Sequence, residues 1–316
     1  MSDKMIIDGE NIPSATTRFL ELNIARLTSG TEIKMPVHVF RADKPGPKIL
    51  LSGGMHGDEV NGIELLRKFL KQGWLKKLLC GSVVVVPIIN VYGFINFSRE
   101  VPDGKDVNRS FPGNKEGSLA SAVAYTMTHY LLPEVDFGLD FHTGGASRTN
   151  YPQLRYEEGD ATAAEVSDAF KAPFTLHSNV IDSSFREAAR NMGKSVIVFE
   201  GGEALRLDPR TIEEGIAGIR RVLHHFEMLP KAPPQKHRTH FFNNSHWLRA
   251  ETSGLFRFEK DSGRKVRQGE TLGYISAPTN EYSNRVVSPY NGYIIGHNNF
   301  PLVHQGDALF HIGTFE

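Results

Sequence analysis

Three stretches of the chain end an apolar run on a side chain able to bind metal or move a proton. In Leu50-Leu51-Ser52-Gly53-Gly54-Met55-His56-Gly57-Asp58-Glu59 a histidine and a glutamate stand three apart where a strand gives way to a helix. On one helical turn, residues i and i+3 share a side, so imidazole and carboxylate can converge on one cation. The neighbouring glycines let the backbone turn sharply. An acid-capped helix N-terminus with a surface histidine would read the same way. Leu139-Asp140-Phe141-His142-Thr143-Gly144-Gly145 sets a second histidine at the end of a buried run. Alone, His142 could equally be a strand-end histidine bonded to a loop. Together, two histidines and a glutamate from separate segments match the His₂Glu catalytic zinc set, which keeps a fourth position open for water.

The third stretch is Ser195-Val196-Ile197-Val198-Phe199-Glu200-Gly201-Gly202. A carboxylate closing such a run is expected to be half desolvated, which raises its pKa toward the range useful to a general base. A helix cap or an arginine's ion-pair partner is the plainer alternative. A fourth segment, Asp106-Val107-Asn108-Arg109-Ser110-Phe111-Pro112-Gly113, follows Arg99 closely. Arginine beside asparagine suits a carboxylate, which it can hold with two charge-assisted hydrogen bonds. A structural pairing of Arg109 with Asp103 or Asp106 is the competing reading.

Elements that could position these groups alternate from about Ile33 to Glu227. Lys48–Ser52, Val83–Ile89, Asp136–Phe141 and Ser195–Glu200 read as buried strands. Between them, Val60, Ile63, Leu66 and Leu70 fall at helical spacing. So do Val123, Met127, Tyr130 and Leu131, and later Ile212, Ile216, Ile219, Leu223 and Phe226. Strands alternating with helices predict an α/β sheet covered on both faces, with ligands beyond the carboxyl ends of its strands.

The chain has 316 residues, about twice the usual domain size, so one large and one small domain are expected. Thirty-six basic against thirty-six acidic residues remove the electrostatic case for nucleic-acid or membrane-surface binding. The single cysteine, Cys80, excludes an internal disulfide and a cysteine zinc cluster. Met1 to Pro13 holds no apolar core of signal-peptide length, and a cytoplasmic location is expected. A Pro-rich connector, 230–236, divides a catalytic domain, 1–229, from a small all-β domain, 237–316. The small domain contains a repeat: Val266-Arg267-Gln268-Gly269-Glu270-Thr271-Leu272 is echoed by Val303-His304-Gln305-Gly306-Asp307-Ala308-Leu309. Two related hairpin units are expected from it. The repeat and Ser288-Pro289-Tyr290-Asn291-Gly292 resemble a biotinyl/lipoyl-type module. No lysine follows Lys265, so a swinging-arm role is not expected and a structural lid or subunit contact is.

The His-Gly-Asp-Glu, Asp-x-Asn-Arg, Asp-x-His and strand-end Glu motifs, in that arrangement, resemble the succinylglutamate desuccinylase/aspartoacylase family, relatives of the zinc carboxypeptidases. The resemblance covers roughly Lys48 to Glu227. It implies a zinc-carboxypeptidase-like mixed α/β sheet with helices on both faces, followed by the small β domain. It implies one zinc per chain on His56, Glu59 and His142, and Glu200 as general base and acid. Arg99 would polarise the scissile carbonyl, Asn108 and Arg109 would hold the substrate carboxylate, and Asp106 would orient His56. The expected reaction is hydrolysis of a small anionic N-acyl amino acid. A zinc carboxypeptidase and a non-catalytic metal-dependent ligand-binding protein are the alternatives, and a homo-oligomer is compatible with either.

Overall fold

The computed structural model describes residues 4–315, so the outermost limits of the two expected domains, residues 1 and 316, lie outside the described residues. A two-stranded ladder, β1 (Ile6–Ile7) and β2 (Glu10–Asn11), precedes the long antiparallel pair β3 (Thr17–Arg26) and β4 (Glu32–Arg41). Then come β5 (Lys48–Gly53), α1 (Val60–Gln72), β6 (Ser82–Val86), α2 (Val91–Asn96) and α3 (Leu119–Thr126). After α3 follow β7 (Phe137–Gly144), β8 (Arg148–Tyr156), α4 (Ala161–Phe170) and β9 (Phe174–His177). α5 (Phe185–Asn191), β10 (Ser195–Glu203) and α6 (Pro209–His225) complete this part.

The expected α/β architecture is present, and its sheet is mixed. β6, β5, β7 and β10 run parallel in that spatial order, and β4 and β8 flank them antiparallel. Both faces are covered. Leu65, Leu66 and Phe69 of α1 share an apolar core with Val166 of α4 and Ile212, Ile219 and Leu223 of α6. Val123 of α3 and Ala188 and Ala189 of α5 pack on the opposite face with Leu50, Val84 and Val86. Two elements differ from expectation. The run Val83–Ile89 leaves the ladder at Val86, because Pro87 has no N–H to give it. The helical spacing through Met127 and Leu131 passes from α3 into a π-helical turn, Met127–Leu131.

Residues 230–239 carry no regular element. Beyond them lie β11 (His240–Phe242), β12 (Asn244–Arg249), β13 (Gly254–Phe258), β14 (Lys265–Val266) and β15 (Thr271–Ser276). β16 (Ser283–Val287), β17 (Gly292–Asn298), β18 (Leu302–Val303) and β19 (Ala308–Thr314) complete the chain. These strands enclose their own core of Phe256, Val266, Leu272, Ile294, Val303, Leu309 and Phe310. The repeat explains their pairing. In both units valine and leucine enter that core, and a glycine with positive φ, Gly269 or Gly306, makes the turn. The following acid accepts a turn N–H: Glu270 from Arg267 at 2.9 Å and Asp307 from His304 at 2.8 Å. The units are not hairpins, however. β14 pairs with β17 while β15 joins the four-stranded sheet, and β18 pairs with β13 while β19 joins the large sheet. The half is also not detached: β17 hydrogen-bonds to β8, so the large sheet continues into it. Among the described residues no helix is long and apolar enough to cross a membrane.

Candidate metal centre and its cavity

β5, β7 and β10 end side by side, and the candidate groups sit at or just beyond those ends. His56 and Glu59 lie in the turn after β5 and not on a helix: Glu59 N–H donates to His56 O at 3.2 Å, and Glu59 is the residue before α1. The turn is pressed onto α2, where a Cβ on Gly57 would fall 1.9 Å from the Gly93 carbonyl carbon, so only glycine fits. Convergence is therefore achieved by the turn and by strand adjacency.

The geometry brings His56, Glu59 and His142 together, with potential ligand atoms within 4.8 Å of one another and all three residues buried. Among the described residues this is the one such group of three. His56 Nδ1 is 2.7 Å from Glu59 Oε1, and His142 Nδ1 is 3.0 Å from Glu59 Oε2. The other nitrogen of each ring is held from behind. His56 Nε2 lies 3.2 Å from Asp106 Oδ1, and His142 Nε2 lies 2.7 Å from Asp140 Oδ2. Both Nδ1 atoms thus face the Glu59 carboxylate while each Nε2 is backed by an aspartate, the carboxylate-backed arrangement that metal-binding histidines usually show. Ser52 Oγ donates to Asp140 at 2.7 Å, and Thr143 N–H donates to Glu59 at 2.9 Å.

Charge fits the same purpose. Burial works to raise the Glu59 pKa, but His56, His142 and their hydrogen bonds outweigh it and hold the carboxyl well below the usual range. Burial works to lower both imidazoles, and their carboxylate neighbours reverse it, so both are raised, His142 strongly. Three carboxylates around two imidazoles make a place that favours positive charge, and nitrogen and oxygen donors suit a borderline cation such as zinc.

Glu200 is the register neighbour of His142 across the parallel β10–β7 pair. It does not stand in apolar surroundings: Asn150 Nδ2 donates to Oε2 at 2.7 Å, and Arg155 Nη1 is 3.7 Å from Oε1. Arg99 donates through Nε and Nη2 to Asp106 Oδ2, at 3.2 and 3.0 Å, and its Nη1 lies 3.3 Å from Glu59 Oε1. Asn108 accepts the Phe185 N–H at 2.9 Å, which ties its loop to the start of α5. Arg109 is exposed and donates to Asn108 O at 2.6 Å. It pairs with neither candidate acid, because Asp103 takes Lys105 and Asp106 takes His56 and Arg99.

These groups line one cavity of about 460 Å³. Its wall also holds residues that the motifs did not single out: Arg148, Asn150, Arg155, Arg186 and, from β12, Trp247. Arg186 is fixed by Ser178, with Nη1 to Oγ at 2.8 Å and Nη2 to O at 3.0 Å. The Arg148 guanidinium lies 5.6 Å from the Trp247 ring centre. Asp140 was within reach of sequence reasoning, since positions i and i+2 of a strand share a face and the motif reads Asp-x-His. Trp247 had no sequence signal.

A family description, "Succinylglutamate desuccinylase/Aspartoacylase catalytic domain", matches residues 45–226, more than half of the chain. The N-alpha-acetyl-L-2,4-diaminobutyric acid deacetylase of Halomonas elongata is 29% identical over 270 residues, covering 81% of this chain and 78% of that protein. The product-bound ectoine utilization protein EutE (DoeB) from Ruegeria pomeroyi is 26% identical, covers 96% of this chain and 97% of its own, and superposes with a TM-score of 0.83. A succinylglutamate desuccinylase/aspartoacylase structure from Rhodobacter sphaeroides gives 0.83 at 25% identity, with 94% of each chain covered. The order of motifs, the strand-end geometry and these matches agree, and the chain belongs to the succinylglutamate desuccinylase/aspartoacylase family.

Proposed function

We propose that the protein is a zinc-dependent deacylase that hydrolyses the amide bond of a small N-acyl amino acid, with one zinc per chain on His56, Glu59 and His142. The observation that carries this reading is the shared cavity: the His-Glu-His group, Glu200 and several arginines face one space. Bound there, the ion supplies Lewis acidity to a carbonyl oxygen and to water. Glu200 accepts the proton of the attacking water as the new C–O bond forms, then returns it to the leaving nitrogen as the C–N bond breaks. Arg99, braced by Asp106, offsets negative charge developing on the carbonyl oxygen. Asn108 and Arg109 hold the substrate carboxylate. Asp106 and Asp140 keep the two imidazoles turned toward the ion.

Arg109 has no carboxylate partner among the described residues, so its charge is left for a ligand although Nη1 also donates to Asn108 O. Arg109→Lys is expected to lower kcat/KM about 10–100-fold, the worth of a charge-assisted hydrogen bond of about 1.5–3 kcal/mol. The loss should disappear for a substrate whose carboxylate is amidated. Equal losses on acid and amide substrates would give Arg109 a supporting role only.

Arg148, Arg155 and Arg186 make the rest of the cavity cationic. A second anionic group on the substrate suits that wall, and an ammonium side chain does not. N-acetyl-L-aspartate and N-acetyl-L-glutamate should therefore be cleaved at least about tenfold faster than Nα-acetyl-L-2,4-diaminobutyrate, since placing like charges together costs several kcal/mol. The decisive assay sets these three beside a dipeptide such as Gly-Asp, using zinc-loaded protein. Faster cleavage of the dipeptide would make the protein a carboxypeptidase. Metal binding without turnover of any of them would make it a ligand-binding protein.

A further inference from the structure

Glu200 has one directional restraint among the described residues, the 2.7 Å hydrogen bond from Asn150, because Arg155 at 3.7 Å is beyond hydrogen-bond reach. Asn150 is 7% exposed and lies on β8 between two partners: it registers with Gly202 of β10 on one side and Gly296 of β17 on the other. The β8–β10 register shifts between Glu200, opposite Gln153, and Gly202, opposite Asn150. That irregularity places Pro152 where no ladder N–H is required and brings the Asn150 amide to the Glu200 carboxylate. The far end of the amide meets the C-terminal half. A Cβ on Gly296 would stand 2.6 Å from Asn150 Oδ1, whereas its next neighbour, Thr149 O, would be 3.2 Å away. The missing side chain at 296 thus leaves the room in which the amide lies.

We propose that Asn150 is a positioning residue for Glu200, and that Gly296 of the C-terminal half sets it by leaving space for its amide. The proton-transfer role it serves rests on the deacylase reading above; the placement of the carboxylate does not.

The test uses full-length, zinc-loaded protein with N-acetyl-L-glutamate. Asn150→Ala should lower kcat about 10–100-fold, as misplacement of a reacting group by an ångström does, with KM within about twofold. Gly296→Ala should lower kcat in the same way by about tenfold, through the displaced amide. The double variant should be no worse than Asn150→Ala, because no amide remains for the methyl to push. Unchanged kcat in Asn150→Ala, or additive losses in the double variant, would overturn the proposal. Crystal structures of the two single variants decide the matter without turnover. The Glu200 carboxylate is expected to leave its position in both, and an unmoved carboxylate in both would overturn the proposal even if the deacylase reading holds.

Discussion

Glu200→Gln should keep its fold and its metal while losing about 10²–10⁴-fold in kcat, the usual worth of a positioned acid–base group. Glutamine has nearly the same shape, so the β10 ladder to β7 and β8 has no reason to change. Its carbonyl can still accept from Asn150, which keeps the buried amide satisfied. The proposed ligand group His56, Glu59 and His142 is untouched, so zinc content should match the parent. On the proposed reading substrate affinity would rest on other residues, Asn108 and Arg109, so KM should move little and the loss should fall on kcat. Metal analysis, circular dichroism and steady-state kinetics on one preparation check all three. Turnover within a few-fold of the parent would remove Glu200 from proton transfer.

What could be read in advance, and what could not, follows from how each residue earns its place. The parallel strands β5, β7 and β10 are buried on both faces, so they appear as nearly continuous apolar runs, and a polar residue at their ends stands out. His142 and Glu200 were visible for that reason. β8 does not look like a strand in sequence. Its sequence, Arg148-Thr149-Asn150-Tyr151-Pro152-Gln153-Leu154-Arg155-Tyr156, is polar and carries a proline, the usual marks of a loop. The polarity is there because Arg148, Asn150 and Arg155 face the cavity, and Pro152 sits at the break in register with β10. The side chains that line the cavity disguise the element.

The same holds for contacts made over distance. Glu59 meets His142 across 83 positions, and that pairing could be inferred because both ends carry ligand-type side chains. Trp247 reaches the cavity because β12 joins β19 at the far end of the large sheet, and a single exposed tryptophan gives no hint of this. The repeat was legible as a repeat, but its strand pairing was not. Val-x-Gln-Gly-acid-x-Leu specifies a turn with its acid clasp and two core residues, and says nothing about which sheet receives each strand. Sheet choice depends on partners tens of residues away.

His142→Ala and His56→Ala should both lose zinc, yet they should differ in stability, and the difference tests how the centre is built. Each variant removes one imidazole from Glu59, which keeps the other along with Arg99 and the Thr143 N–H. The contrast lies behind the rings. Without His142, the Asp140 carboxylate, 1% exposed, keeps only the Ser52 hydroxyl among its side-chain partners. Leaving a buried carboxylate without its ionic partner typically costs about 3–5 kcal/mol. Without His56, Asp106 still binds Arg99 through two nitrogens and accepts the Asn108 N–H at 2.7 Å. Its loss should be about 1.5–3 kcal/mol, that of one hydrogen bond to a charged group. Urea unfolding of the two variants in the presence of a chelator, so that neither gains from metal, should therefore rank His142→Ala below His56→Ala by about 2 kcal/mol. Equal midpoints with equal slopes would show that Ser52 alone satisfies Asp140. Full zinc retained by either variant after dialysis would place the metal on other ligands.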